Sequence, residues 1–281
     1  MKTIRSRHVV SGGMIGLTYL AAFLAILPLI LILVHLAAKG ASSLSLSFFT
    51  HMPRPVGEPG GGMANAIVGS LILIGVASVI GLPIGIGAGL YLAEKRGTRF
   101  AYTVRFLADV LNGLPSIVIG IFAWEILVKP IGFSALAGGV ALAAMMIPLV
   151  TRTTEEMLLV VPNSLREAAL ALGYAKWRTS ISVVLRTALA GIATGVLVAV
   201  ARIAGETAPL LFTALGNQFW STSLRQPISA IPLQVFVYST SAYEEWHRLA
   251  WAGALVLITL VLVISIVARF VTRSRFGAAV D

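Results

Sequence analysis

Residues 164–185, SLREAALALGYAKWRTSISVVL, form a polar, basic interlude in a chain that is otherwise almost all hydrocarbon-soluble. Ser164 followed by Glu167 reads as a capping box, and Pro162 just ahead stops whatever precedes it. Leu165, Ala168, Ala169 and Leu172 recur at i, i+3, i+4 and i+7, which places one apolar stripe on a short helix. Gly173 falls where such a helix closes in the left-handed conformation. The helix is about nine residues, roughly 13 Å at 1.5 Å per residue. A lone helix of that length is marginal in water, so it needs a brace. The two alanines on its stripe call for close contact with the bracing partner.

Composition sets the class. Apolar residues make up 58% of the 281 and charged residues 11%, whereas a soluble domain carries about 25% charged residues. Mean hydropathy is +0.93. These values describe a polytopic membrane protein. The formal charge of +10 does not signal nucleic acid, because no basic stripe carries interleaved aromatics. There are no cysteines, which excludes disulfides, thiolate metal sites and thiol catalysis.

Six apolar runs are long enough to cross a bilayer, each needing about 20 residues. They lie near Gly13–Ala37, Ala66–Ala93, Phe106–Val128, Ala135–Met157, Leu189–Ala214 and Leu249–Phe270. The first is longer than the core of a signal peptide and is expected to be retained. Fifteen of the 21 Lys and Arg residues flank the runs on one side, and five (Lys39, Arg54, Lys129, Arg225 and Arg248) on the other. The excess marks the cytoplasmic side, which then holds both termini and the 164–185 stretch. The expected organisation is a tail over 1–12, a first span and linker over 13–65, a permeation core over 66–270 with a cytoplasmic loop at 158–188, and a tail over 271–281. No internal repeat stands out.

Between the spans, residues 39–65 (with MPRPVGEPGGG) read as a flexible link. Residues 215–248 read as a loop containing a short interfacial helix, with Trp220, Tyr243 and Trp246 as anchors. The second run contains Gly69, Gly75, Gly81, Gly85, Gly87 and Gly89 around Pro83, the composition of close helix packing. In the third, Asp109 and Asn112-Gly113-Leu114-Pro115-Ser116 predict either a packing kink or a cavity-lining bend.

The fifth run contains Arg202 about halfway along, with Glu206 at i+4. A charge near the bilayer centre costs between ~3 and ~10 kcal/mol, so Arg202 must face protein or water. Two roles are open: mutual neutralisation with Glu206, or contact with an anionic solute in transit, for which the arginine fork is suited. Arg152, just after Pro148 and followed by Glu155 and Glu156, is a second candidate: a positive-inside anchor, a pair with a nearby Glu, or a contact for the anion. Glu125 and Lys129 read as a structural pair. His8, His35, His51 and His247 lack metal-ligand spacing, and neither a P-loop nor a nucleophile–base constellation occurs. No enzyme site is expected.

The run Glu167-Ala168-Ala169, three residues, Gly173 resembles the EAA motif of bacterial ABC importer permeases. The pattern continues nine residues later with Ile, any residue, Leu and Pro; here the positions are Val183, Val184, Leu185 and Arg186, so the proline is missing. The resemblance implies a type I importer (MetI-like) permease fold of six transmembrane helices, whose loop helix docks on a separate ATPase. Arg202-Ile203-Ala204-Gly205-Glu206-Thr207-Ala208-Pro209-Leu210-Leu211-Phe212-Thr213, Asn217-Gln218-Phe219-Trp220-Ser221 and Trp251-Ala252-Gly253 resemble the PstA family of phosphate permeases. That resemblance implies a bacterial inner-membrane subunit that passes inorganic phosphate. Its implied partners are a PstC-like second permease, a PstB-like ATPase dimer carrying ATP and Mg, and a PstS-like extracytoplasmic phosphate-binding protein. It also implies Arg202, Glu206 and Arg152 as pathway residues, and Glu167, Ala168, Ala169 and Gly173 as coupling residues. Sulfate or molybdate permeases, and a self-sufficient anion carrier, are the competing expectations.

Overall fold

The structure is a computed structural model that describes the backbone of residues 2–58 and 60–276 and the side chains of 10–58 and 60–266. The elements in chain order are α1 (Lys2–Ala41), α2 (Leu46–Thr50), α3 (Ala64–Glu94), α4 (Arg99–Gly113), α5 (Ser116–Ile131), α6 (Ala135–Val160), α7 (Asn163–Ala171), α8 (Lys176–Ala204), α9 (Ala208–Thr213), α10 (Ile231–Ser239) and α11 (Glu244–Phe276). Among the described residues five helices are long and apolar enough to span a membrane, and α4 with α5 makes a sixth if that pair, bent by 105°, is one span. The last residues of the expected 271–281 tail fall outside the described segment.

Helices α3 and α6 form the most extensive pair, and glycine sets their separation. Gly81 faces Met146, Gly85 faces Val150, Gly89 faces Thr154, and Gly138 faces Leu73. The offset stays constant, so the two helices run parallel in fixed register. A methyl on Gly89 would lie 2.6 Å from the Thr151 carbonyl oxygen. In lipid, where burial of apolar surface gains nothing, such close approach is what holds helices together. Leu73, Ala77, Leu142, Met146, Val150, Ile203 and Leu210 fill the centre of the bundle.

Helix α8 packs on α6 and also touches α3. Gly191 meets Met157 and Gly195 meets Thr153, so one number rises as the other falls and the pair is antiparallel. Near its start α8 contains a π turn at Ser180–Val184. The helix then continues through Arg186, where the resembling motif carries proline.

Two spans are broken, each at a proline. Leu114 is extended (φ −71°, ψ 138°) ahead of Pro115, the conformation a proline imposes on its predecessor. The fifth run, expected as one helix over Leu189–Ala214, is two: α8 ends at Ala204 and α9 begins at Ala208. In a continuous helix the Pro209 ring would clash with the Gly205 carbonyl and offer it no N–H.

The short helix α7 also differs from expectation at its start. Pro162 occupies the cap position, no side chain caps the helix, and Ser164 sits inside the first turn. Its end agrees: Gly173 has φ +84°, and the Tyr174 and Gly173 amides donate to the Ala169 and Leu170 carbonyls.

Residues 39–65 are more ordered than a flexible link. Phe48 and Met63 are buried with Ile231, Tyr238 and Ala252. The Gly62, Met63 and Ala64 amides donate to the Met52, Phe48 and His51 carbonyls. Helix α1 touches the bundle through α11, where Gly40 packs on Leu255 and His35 meets Trp251 edge-on. The short helix expected in the 215–248 loop is α10.

Gly89→Ala is expected to lower stability by about 1–3 kcal/mol through overpacking, seen as a lower unfolding midpoint in detergent. Gly87→Ala, where a methyl meets nothing within 4 Å, should leave the midpoint unchanged or raise it slightly.

Candidate functional site

Arg202 occupies the last turn of α8. The Gly195–Thr153 contact fixes the level: seven residues further along α8 is seven residues back along α6, at Met146. That is roughly 17 Å from Ala135 and 21 Å from Val160 at 1.5 Å per residue. Arg202 thus ends a helix yet lies near the middle of the bundle, as expected of a charge halfway along the run. Its Nε is 4.0 Å from Glu206 Oε1, with the side chains 43% and 19% exposed. At that distance the pair is loose, and in a wet environment its attraction is of order 1 kcal/mol. The guanidinium fork keeps most of its N–H donors open toward the surface of the bundle.

Arg152 is held differently. Its Nε lies 2.9 Å from Asp109 Oδ1 in an ion pair, and its Nη1 donates to Glu155 Oε2 at 2.6 Å. Glu155, only 3% exposed, also accepts from Arg105, whose Nε lies 3.0 Å from Oε1. Two arginines and two carboxylates therefore form one chain of charge between α4 and α6. Arg105 and Asp109 are one turn apart on α4; Arg152 and Glu155 are one turn apart on α6. A buried carboxylate is tolerable only when its lone pairs are filled this way.

A third assembly lies at the end of the bundle where α3 and α6 finish and α8 begins. Of α7 only Ala169 is buried; Glu167 and Ala168 are exposed, and so are Leu165 and Leu172 from the apolar stripe. The rest of the chain supplies only part of the brace expected for this helix, at Ala169 and through contact with the start of α8. One side chain ties α7 down: Arg166 pairs with Glu94 at the end of α3 and donates to the Leu158 carbonyl of α6 at 3.2 Å.

The family profile described as "Binding-protein-dependent transport system inner membrane component" matches residues 81–276. The phosphate transport system permease protein PstA of Yersinia pestis is 51% identical over 88% of this chain and 84% of its own length. PstA of Haemophilus influenzae is 47% identical over 91% of both chains. The chain belongs to the PstA permease family. Among solved structures, an alginate ABC transporter chain superposes with a TM-score of 0.66 over 96% of both chains at 14% identity. A chain of the inward-facing MetNI methionine transporter superposes with a TM-score of 0.59 over 76% of this chain and 94% of its own, at 20% identity. At those identities the likeness bears on fold, and the fold is the MetI-like permease bundle. Membership in the PstA family makes this chain a multi-pass transport subunit of an ABC system and not an enzyme.

Within this PstA-family bundle, Arg202 and Glu206 come together, and Arg152 sits apart from them among its own carboxylates. Glu167, Ala168, Ala169 and Gly173 share α7 and its closing turn. Arg105 and Asp109 did not stand out in the sequence as site residues. The i,i+4 spacing of opposite charges on α4 was visible there, but their partners are 50 residues (Arg105 to Glu155) and 43 residues (Asp109 to Arg152) further along, on α6.

Glu155→Gln removes the carboxylate that both arginines share. It is expected to destabilise the fold by about 3–5 kcal/mol, measured as thermal unfolding of the detergent-solubilised chain against wild type.

Proposed function

We propose that this chain is the membrane permease subunit of an ATP-driven importer of inorganic phosphate and forms half of its translocation pathway. The observation that carries the proposal is the 51% identity with a PstA phosphate permease across most of both chains. It is supported by an open arginine near the middle of a hydrocarbon-embedded bundle. Arginine suits an oxyanion because its planar fork donates two parallel hydrogen bonds and stays charged at any physiological pH. Arg202 acts as the central station for phosphate, and Glu206 holds its side chain loosely enough to let the anion pass. Arg152 acts as a second station nearer the α7 face.

The remaining parts come from other chains: a PstC-like permease completing the pathway, a PstB-like ATPase dimer, and a PstS-like binding protein that delivers phosphate. The chain itself binds no cofactor; ATP and Mg belong to the ATPase. The excess of Lys and Arg on the α7 face orients that face, with both termini, to the cytoplasm. The exposed stripe of α7 then meets the ATPase, which supplies the missing brace. Glu167 and Ala168 lie at that contact, Ala169 on the opposite side seats the helix on its own chain, and Gly173 fixes its exit angle. Force applied there reaches α3 through Arg166–Glu94 and reaches Arg202 along α8, whose start follows the Gly173 turn directly.

Cells lacking this chain should lose high-affinity uptake of radiolabelled phosphate and regain it when the chain is restored. Uptake of sulfate in its place would refute the substrate. Arg202→Gln should lower phosphate uptake at least about tenfold while the complex still co-purifies; unchanged uptake would make the Arg202–Glu206 pair structural. Gly173→Val forces a β-branched residue into positive φ. With so little of α7 buried, the unfolding midpoint should move little while ATP hydrolysis continues without uptake.

A further inference from the structure

We propose that Asp109 is a displaceable counter-ion, whose place on Arg152 is taken by the transported tetrahedral oxyanion, and that this exchange loosens α4 from α6. The proposal deepens the phosphate-importer reading and rests on it.

The two carboxylates around Arg152 are unequal. Glu155 is 3% exposed and bound by Arg105 as well as Arg152, so it stays where it is. Asp109 is 53% exposed and, among the described residues, has Arg152 as its one ion-pair partner, with Oδ1 2.9 Å from Nε. An anion arriving from water reaches that edge of the guanidinium without stripping a buried ion. Phosphate carries as much charge as the carboxylate or more, and it has more acceptor oxygens for the Arg152 fork. Asp109 therefore holds the site in the anion's absence and yields to the anion when it comes.

The exchange has a mechanical consequence. Helix α4 is tied to α6 by two ion pairs one turn apart, Arg105–Glu155 and Asp109–Arg152. Losing the second leaves α4 held by ion pairing at Arg105 alone. The free end of α4 runs directly into the break at Leu114–Pro115, where the chain turns by 105°. A break next to a released tie is where a hinge takes up the change. The contact that recognises the anion thus also sets whether α4 is pinned, which is the differential contact a ligand needs to shift a conformational equilibrium.

The test is equilibrium binding of radiolabelled inorganic phosphate to the importer purified with its other membrane and ATPase chains, without the binding protein. Asp109→Asn should lower the Kd at least fivefold, because the competitor is gone. Asp109→Glu should bind within twofold of wild type. Glu125→Gln adds the same net charge at an exposed pair elsewhere and should also stay within twofold. Unchanged or weaker binding by Asp109→Asn, or an equal gain with Glu125→Gln, overturns the proposal. A wild-type importer that binds no phosphate refutes the substrate assignment instead. If Asp109→Asn does not assemble, the wild-type background decides. The chain has no cysteines, so spin labels on cysteines at Tyr102 of α4 and Val160 of α6, both exposed, report the distance between the helices. Saturating phosphate should shift that distance by several ångströms, and an unaltered distribution overturns the proposal.

Discussion

Glu155 is a carboxylate buried in a bundle surrounded by hydrocarbon, and it exists there only because guanidinium groups from two helices share it. A charge in a low-dielectric interior is costly unless the opposite charge is within contact and the remaining lone pairs are filled. Satisfying it brings α4 alongside the α7-facing half of α6, so that the 105° bend between α4 and α5 has a fixed first arm. The same constraint explains the contrast with Arg202. That side chain is near the middle of the bundle yet loosely paired and 43% exposed, so at that depth it must look onto water or another protein chain. One arginine is spent on architecture as well as charge, and the other is left open.

Around this charged chain the bundle is assembled by close backbone contact. The glycines of α3 and α6 bring helices within methyl-excluding distance and lock a parallel register. The prolines do the opposite. Pro115 and Pro209 end regular helix inside the bundle, and α5 and α9 then pack on each other across the two breaks. Gly120 sits so close to Pro209 that a methyl there would lie 2.7 Å from the Pro209 Cα. Irregular backbone at membrane depth persists only where protein or a water-filled cavity covers it, and these breaks face each other near the level of Arg202.

The α7 segment shows the limits of a single chain. Its Gly173 turn is complete, its hydrogen bonds are made, and Arg166 moors it to α3 and α6. Leu165, Ala168 and Leu172 of its apolar stripe nevertheless stay open. A helix this short gains stability mainly from packing, so an exposed stripe on a well-terminated helix leaves the energy of docking to be supplied by another subunit.

Much was legible in the sequence because bilayer physics leaves a coarse imprint. Spans of about 20 apolar residues, the charge imbalance across them, the glycine-rich second run, the left-handed turn at Gly173 and the mid-span Arg202 all follow from local composition and spacing. Local chemistry was misread where the backbone had competing options. Ser164 looked like a cap, but Pro162 already held the cap position. Leu189–Ala214 looked like one helix because hydropathy does not register the backbone donor that Pro209 lacks. What only the tertiary structure decided is which charges meet. Arg152 beside Glu155 stood out in the sequence, but Arg105 and Asp109 did not join them there, since a loop-flanking arginine and a lone aspartate have many possible partners. The parallel glycine register of α3 and α6, and the laying of α4 against α6, bring the four within hydrogen-bond reach, because pairing between helices depends on distances in space that one-dimensional spacing does not encode.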